Sequence, residues 1–370
     1  MSAVDSQWMA KALNLAERGL FTTTPNPRVG CMLVKDGVEI GEGWHERAGE
    51  PHAEALALRV AGDNAQGAAA YVTLEPCSHY GRTPPCADAL IAAGVKRVVI
   101  AMQDPNPLVA GRGIAKLRAA NIDVECGLME AEARHLNSGF VKRMTQSLPW
   151  VRSKIAASLD GRTALLNGAS QWITGEAARR DVHVWRARSC AVISGIDTVL
   201  KDDAQFSVRH IPTTRQPLRV VLDSRLRIPT DAMIFQGGDV LIVTAKADEH
   251  RIAALKKAGA KVVVLAGENG QVDLLRTFQY LASIGCNEVL VEAGSTLNGA
   301  LLNAGLVDEL VLYFAPQLLG DMARGMAQLG ELQTLDQRVE LVWHDVRQVG
   351  KDLRILAAVN KYPRSLAAQG

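Results

Sequence analysis

Strand-like and helix-like segments alternate along this chain, lose their rhythm near residues 140–150, and then resume it. "RVGCMLVKDG" and "VEIGEGWH" read as a hairpin whose turn is Asp36-Gly37. "HAEALALRVAG" reads as a helix stopping at Gly62, "AAAYVTLEP" as a buried strand, and "CADALIAAG" as a helix closed by Gly94. "VKRVVIAM", "GRGIAKLRAAN" and "IDVECGL" add a strand, a helix and a short strand. Short connections between such segments imply a sheet of partly parallel strands covered by helices. "GFVKRMTQSLPWVRSKIA" then ends a helix, crosses Pro149 and starts a strand, and the alternation begins again. The expectation is two α/β units, residues 1–147 and 148–370, and 370 residues suffice for two cores.

Composition narrows the function classes. A net charge of +2 points to no nucleic-acid or acidic-surface partner. The chain lacks an apolar run of about 18 residues, so no membrane span is expected. The start, "MSAVDSQWMAKALNLAERG", has helical spacing at Ala10, Leu13, Ala16 and Glu17 and no basic-then-apolar leader, which argues against secretion. The six cysteines are too sparse for a secreted disulfide scaffold, so the cytoplasm is the expected compartment. Cys126, Cys190 and Cys286 stand beside apolar or glycine residues and read as buried filler.

Cys77 and Cys86 are different. They bracket "CSHYGRTPPC", each follows a proline, and upstream lies "EPHAEALAL" with His52 and Glu54. A catalytic zinc commonly keeps three protein ligands and leaves a fourth position to water. His52, Cys77 and Cys86 supply three, and Glu54 is then free to move protons. The order His-x-Glu, Pro-Cys, Cys is that of zinc nucleoside and nucleotide deaminases. A purely structural zinc would want a fourth ligand, for which His79 is the nearby spare, and would leave Glu54 without a role.

Residues i and i+2 of a helix point about 200° apart, so His52 and Glu54 in mid-helix could not share a site. Pro51 answers this by marking the first helical turn, where both side chains reach a metal beyond the helix end. Cys86 opens the next helix, a position that favours thiolate. The long segment between the cysteines departs from the compact Cys-x-x-Cys of cytidine and tRNA adenosine deaminases. It places His79 and Arg82 at the pocket mouth, where they suit a substrate phosphate. Asn26, between two prolines, is a candidate for a sugar or base contact, or else forms a structural Asx-turn.

The second half offers less. No Gly-x-Gly-x-x-Gly follows a strand, so a Rossmann fingerprint is absent. In "NEVLVEAGSTLNGALLNAG" a strand ends at Glu292 and a helix starts at Ser295 or Thr296. Its free N–H groups could hold a pyrophosphate, or could simply belong to a capped helix.

"PNPRVGC", "GEGWHERAGEPHAEALAL", "YVTLEPCSHYGRTPPC", "DPNPLVAGRG" and "KIAASLDGRTA" closely resemble the bifunctional deaminase–reductase family of riboflavin biosynthesis, RibD, over essentially the whole chain. The resemblance implies a cytidine-deaminase-like three-layer α/β domain followed by a dihydrofolate-reductase-like α/β domain. It implies Zn2+ and NADPH as cofactors, a small phosphoribosyl-pyrimidine substrate, and a homo-oligomer, dimer or tetramer. Matched residue by residue, it nominates Ala156, Trp172, Thr198, Asp202, Ser224, Gly294, Ser295, Thr296, Leu297, Asn298, Gly299 and Ala300 for the cofactor. It nominates Lys154, Ser170, Arg186, Phe206, Arg209 and Glu292 for the substrate. Lys154, Arg186 and Arg209 are then expected to cluster on the ribose 5-phosphate with Ser170 orienting it, and Ser224 and Arg225 to meet the cofactor's 2′-phosphate, unless Arg225 is simply a solvated surface charge. Asp160 in "SLDG" reads as structural. The rivals are a tRNA or nucleoside deaminase, which predicts a compact cysteine pair and no second module, and a zinc-stabilised binding protein.

Overall fold

The computed structural model describes residues 1–78, 85–107 and 109–360. It divides into two compact units, Met1–Leu148 and Pro149–Gly370.

In the first unit, α1 (Ala3–Glu17) precedes the hairpin of β1 (Gly30–Lys35) and β2 (Val38–Trp44), followed by α2 (Ala53–Ala61). Then β3 (Ala69–Val72), α3 (Cys86–Ala92), β4 (Arg97–Ile100), α4 (Arg112–Ala119), β5 (Asp123–Cys126), α5 (Glu130–Leu136) and α6 (Ser138–Gln146) complete it. The sheet order is β2-β1-β3-β4-β5. β1 is antiparallel to β2 and β3, whereas β3, β4 and β5 run parallel, as helical crossovers demand. Asp36 and Gly37 both take positive φ, the conformation a tight hairpin turn requires.

Glycines set the layer spacing. A Cβ on Gly30 would strike the Ala12 carbonyl of α1 at 2.0 Å, and one on Gly43 the Ala53 carbonyl of α2 at 2.4 Å. Gly43 pairs with Cys31, the residue after Gly30, so the two glycines point to opposite faces. Helices α1 and α2 therefore sandwich the sheet, and the start of α2 is seated directly on β2. The expected strand "AAAYVTLEP" is shorter than its apolar run, ending at Val72.

The second unit holds β6 (Trp150–Ser158), β7 (Arg162–Ala164), α7 (Glu176–Arg188), β8 (Ala191–Gly195), α8 (Ile196–Asp202), β9 (Leu218–Leu222), β10 (Val240–Thr244), α9 (Glu249–Lys257) and β11 (Ala260–Val264). It continues with α10 (Leu274–Ser283), β12 (Glu288–Glu292), α11 (Ser295–Asn303), β13 (Glu309–Ala315), β14 (Arg324–Gly325), β15 (Leu341–Val349) and β16 (Asp352–Val359). Its large sheet runs β11-β10-β9-β8-β12-β6-β13-β16-β15, and β14 pairs with β7 separately. From β11 to β13 every neighbouring pair is parallel, and β16 and β15 close the edge antiparallel. The chain steps outward from β8 through β9 and β10 to β11, then returns to insert β12 on the other side of β8. The helices following β8 and β12 thus diverge from a common crevice at the carboxyl ends of the strands, where ligands of open α/β sheets bind. No helix among the described residues is long and apolar enough to cross a membrane.

Candidate metal centre and reductase crevice

Pro51 lies outside α2, and His52 is the N-cap with φ −74° and ψ 163°. The sequence expectation that Pro51 opens the first helical turn is corrected here. The physical outcome is more favourable, because an extended His52 escapes the helical i, i+2 divergence altogether. Its side chain caps nothing, leaving the imidazole free to face the cysteines, while Glu54 is buried in the first turn. Cys86 opens α3 after Pro85, and its backbone N–H donates to Cys77 Sγ at 3.3 Å.

His52 Nδ1 stands 3.6 Å from Cys77 Sγ and 3.3 Å from Cys86 Sγ. Tetrahedral zinc with ordinary Zn–S and Zn–N lengths separates its nitrogen and sulfur ligands by about 3.5 Å. The two distances bracket that figure, so the donor set fits zinc in both element and spacing. Among the described residues, His52, Cys77 and Cys86 are the group that could hold a metal ion, and Glu54 is not part of it.

The electrostatics agree. The Cys86 contact, with His52 assisting, draws Cys77 toward thiolate against burial. Cys86, held by Cys77 and buried, is pushed up. A divalent cation between the three donors removes that penalty and lets both sulfurs ligate as thiolates. His52 is raised, chiefly by its contact with Cys77. Burial pushes Glu54 up to about 7, so its carboxyl can hold and release a proton near neutrality.

Two supporting residues escaped the sequence reading. His45, at the end of β2, meets Asn26 Nδ2 through Nε2 at 3.0 Å and the Pro51 carbonyl through Nδ1 at 3.1 Å. These partners fix a neutral tautomer protonated on Nδ1, and burial lowers its pKa. The ring packs edge-on against His52, 5.3 Å between centroids, so Asn26 joins the site through His45. Glu75, two residues before Cys77, accepts N–H bonds at Oε2 from Asp104 (3.1 Å) and Gly111 (2.9 Å). Its Oε1 accepts from Gly113 (2.9 Å) and Ile114 (3.2 Å). Gly113 is obligatory, since a Cβ there would sit 2.0 Å from the Pro76 carbonyl oxygen. The glycines of "AGRG" thus serve this clamp at the start of α4, and the pattern Glu-Pro-Cys was the available signal. His79 and Arg82 lie outside the described residues.

In the second unit, β12 ends at Glu292, which lies in register with Lys154 of β6. Burial lowers the pKa of Lys154, partly offset by Glu292. Arg186 donates from Nε and Nη2 to the two oxygens of Glu292 (2.5 and 2.9 Å) and from Nη1 to the Ser207 carbonyl (3.0 Å). Each of its three nitrogens thus makes a bond, two of them bracing Glu292. Ser170 is placed against Lys201 Nζ at 3.4 Å. Arg209 is exposed and donates from Nη1 to Gln205 at 2.6 Å, and Phe206 is buried against the Arg186 guanidinium.

The cofactor candidates fall on several elements of the second unit. Ala156 is in β6, Thr198 and Asp202 are in α8, and Gly294 is the N-cap of α11. Gly294 offers no side-chain cap, and a Cβ there would meet nothing within 4 Å, leaving the first N–H groups of α11 open to an anion. This suits a pyrophosphate. Behind it Thr296 hydrogen-bonds Gln328, while Asn298 is buried and accepts from Ser153. Trp172 is 68% exposed with Arg179 over its ring at 4.5 Å. The Ser224 hydroxyl is engaged with Gln271 and the Val272 amide. Asp160 accepts from the Leu319 and Gly320 amides, the structural role expected of it.

A three-donor zinc centre with a spare buried carboxylate, joined to an α/β unit with an anion-ready crevice, defines a hydrolytic deaminase coupled to a nucleotide-dependent reductase. The cytidine and deoxycytidylate deaminase zinc-binding region matches residues 2–102, and the RibD C-terminal domain matches residues 149–355. The riboflavin biosynthesis protein RibD of Escherichia coli is 49% identical over 362 residues, covering 94% of this chain and 98% of the relative. That of Haemophilus influenzae is 46% identical over 367 residues, covering 96% and 97%. Among solved structures, Acinetobacter baumannii RibD superposes with TM-score 0.90 at 48% identity, covering 97% of this chain and 99% of its own. A Thermotoga maritima deaminase/reductase superposes with TM-score 0.85 at 31% identity, covering 96% and 99%. The chain belongs to the RibD family, the bifunctional zinc-dependent deaminases and NADPH-dependent reductases of riboflavin biosynthesis.

Proposed function

We propose that His52, Cys77 and Cys86 hold the zinc and that Glu54 carries the proton in deamination. The substrate is 2,5-diamino-6-(5-phosphoribosylamino)pyrimidin-4(3H)-one and the product 5-amino-6-(5-phosphoribosylamino)uracil. The observation that carries this is the separation of the three donors at zinc-ligand distances with Glu54 buried beside them and outside the set. Zinc held there supplies the Lewis acidity that makes water nucleophilic near neutral pH. Glu54 takes a proton from the attacking water and delivers it to the departing 2-amino group. The C–N bond breaks, ammonia leaves, and the oxygen remains on the ring. His45 and Asn26 form a rigid polar wall beside His52.

In the second unit the ribosyl side chain is reduced to ribityl, with hydride passing from NADPH to C1 of the opened sugar. Gly294 to Ala300 receive the pyrophosphate, with Ala156, Thr198 and Asp202 lining the same crevice. Glu292, at the end of β12, and Lys154, beside it in the middle of β6, hold the sugar, and Arg209 meets its 5-phosphate from the exposed loop after α8. The cytoplasm suits a chain whose cysteines are all free thiols.

Glu54→Gln is expected to keep zinc, abolish ammonia release, and leave NADPH oxidation intact on the deaminated substrate. Ammonia release persisting at the wild-type rate would sink the assignment.

A further inference from the structure

The stretch between α8 and β9 carries Arg209, and within it Ser207, Val208 and Arg209 are held by side chains. Arg186 Nη1 donates to the Ser207 carbonyl at 3.0 Å. The Gln216 side chain takes both groups of Val208, accepting its N–H at 2.8 Å and donating to its carbonyl at 3.0 Å. His183 Nδ1 accepts the Arg209 N–H at 3.1 Å. Three consecutive residues are thereby pinned, and Phe206, at φ 54°, turns into the core just ahead of them.

His183 is only 4% exposed and sits on α7 three residues before Arg186, so both side chains leave the same helix face toward the same loop. Its ring also packs edge-on against His210, 4.5 Å between centroids at 84°. An imidazole nitrogen that accepts an amide proton cannot carry one itself, so the ring is the neutral form protonated on Nε2. Without these bonds a long loop would sample many conformations, and each fixed backbone residue costs on the order of 1–2 kcal/mol of entropy.

We propose that His183, together with Gln216, is a positioning residue of the reductase, holding Val208 and Arg209 so that the Arg209 guanidinium is presented to the substrate phosphate. This rests on the reading that Arg209 meets that phosphate. His183 acts through Arg209, and its burial keeps it off the substrate. The pre-set loop removes an ordering cost from substrate binding and leaves hydride transfer untouched.

The test is a double-mutant cycle on the full-length enzyme, assayed by NADPH oxidation on the phosphorylated aminouracil with inorganic phosphate as competing probe. Arg209→Met and His183→Ala are each expected to raise KM for the pyrimidine and Ki for phosphate by about 10-fold, with kcat and the KM for NADPH unchanged. The double variant is expected to be no worse than Arg209→Met alone. His183→Asn, whose Oδ1 can accept the same amide proton, is expected to restore KM to within about 3-fold. If Arg209→Met raises KM but His183→Ala does not, the positioning role is overturned and the phosphate reading stands. If Arg209→Met changes nothing, the phosphate reading fails and the positioning role with it. Additive effects that lower kcat as well would make His183 a packing residue and overturn the inference. Should His183→Ala not fold, Gln216→Met, which unpins Val208, carries the same expectations.

Discussion

Glu75→Gln is the most economical perturbation of the metal centre, because it preserves shape and touches no ligand. Each carboxylate oxygen of Glu75 serves two backbone donors, Asp104 and Gly111 on one side, Gly113 and Ile114 on the other. An amide keeps one oxygen, so either orientation turns its NH2 toward two N–H groups. The amide is expected to keep its oxygen on the fully buried pair and to leave the partly buried Asp104 and Gly111 amides unpaired. Leaving a buried donor unsatisfied costs about 1–3 kcal/mol, and partial access to water favours the low end, so two donors cost about 2–3 kcal/mol. If the clamp's whole effect is to hold Cys77 in its ligating position, zinc affinity falls by at most about 30- to 150-fold. The assay is zinc release against graded chelator, with NADPH oxidation of the same preparation as internal control. Weakened zinc retention with unaltered reductase turnover is the expected result. Zinc retention indistinguishable from wild type, together with an unchanged melting profile, would refute the idea that the Glu75 carboxylate shapes this centre.

Two further perturbations probe the second unit. A Cβ at Gly299 would stand 2.0 Å from the Gln328 carbonyl oxygen, so Gly299→Ala must displace α11 or that loop. An overpacking cost of about 1–3 kcal/mol and a roughly 10-fold rise in KM for NADPH are expected, read by fluorescence titration and initial rates. His183 is held down at about 4, mainly by burial and then by Arg186. As pH falls below about 6.5 the unfolded chain binds the proton first, so stability declines between about 6.5 and 4, by up to about 3 kcal/mol. His183→Asn removes that contribution, and urea unfolding at pH 7 and pH 4.5 should show a smaller difference for the variant than for wild type.

Much of the first unit was written locally. Asp36-Gly37 dictated the hairpin and Gly94 the end of α3, because each acts through its own backbone conformation. The convergence of His52, Cys77 and Cys86 was legible for a similar reason, since three reactive side chains lie in two short segments with prolines fixing their entry. What escaped depends on partners distant in sequence. Glu75 finds its donors 29 to 39 residues away, and neither end announces the other. The strand "AAAYVTLEP" looked longer than it is because apolar character marks burial, whereas regular pairing stops at Val72. In the second unit the alternation implied parallel strands but not the return of β12 beside β8, and that return creates the crevice.

Arg186 carries a constraint that residue type alone does not show. Three cations near one pocket invite the inference that all three face the anion, and that was the expectation for Lys154, Arg186 and Arg209. A carboxylate at the end of a buried strand changes the balance. Glu292 cannot remain ionised there without a partner, because stripping a charge of water costs several kcal/mol. Arg186 satisfies it with a two-bond fork, and its remaining bond to Ser207 converts the pair into an anchor for the neighbouring loop. Lys154 faces the same carboxylate from the adjacent strand. Arg209 is exposed, and the backbone at Val208 and Arg209 is bonded by the Gln216 and His183 side chains, neither of which carries charge in this arrangement. On the proposed reading, the phosphate-facing charge and the groups that aim it are different residues. A substitution at His183 or Gln216 should resemble loss of the arginine while leaving every formal charge in place.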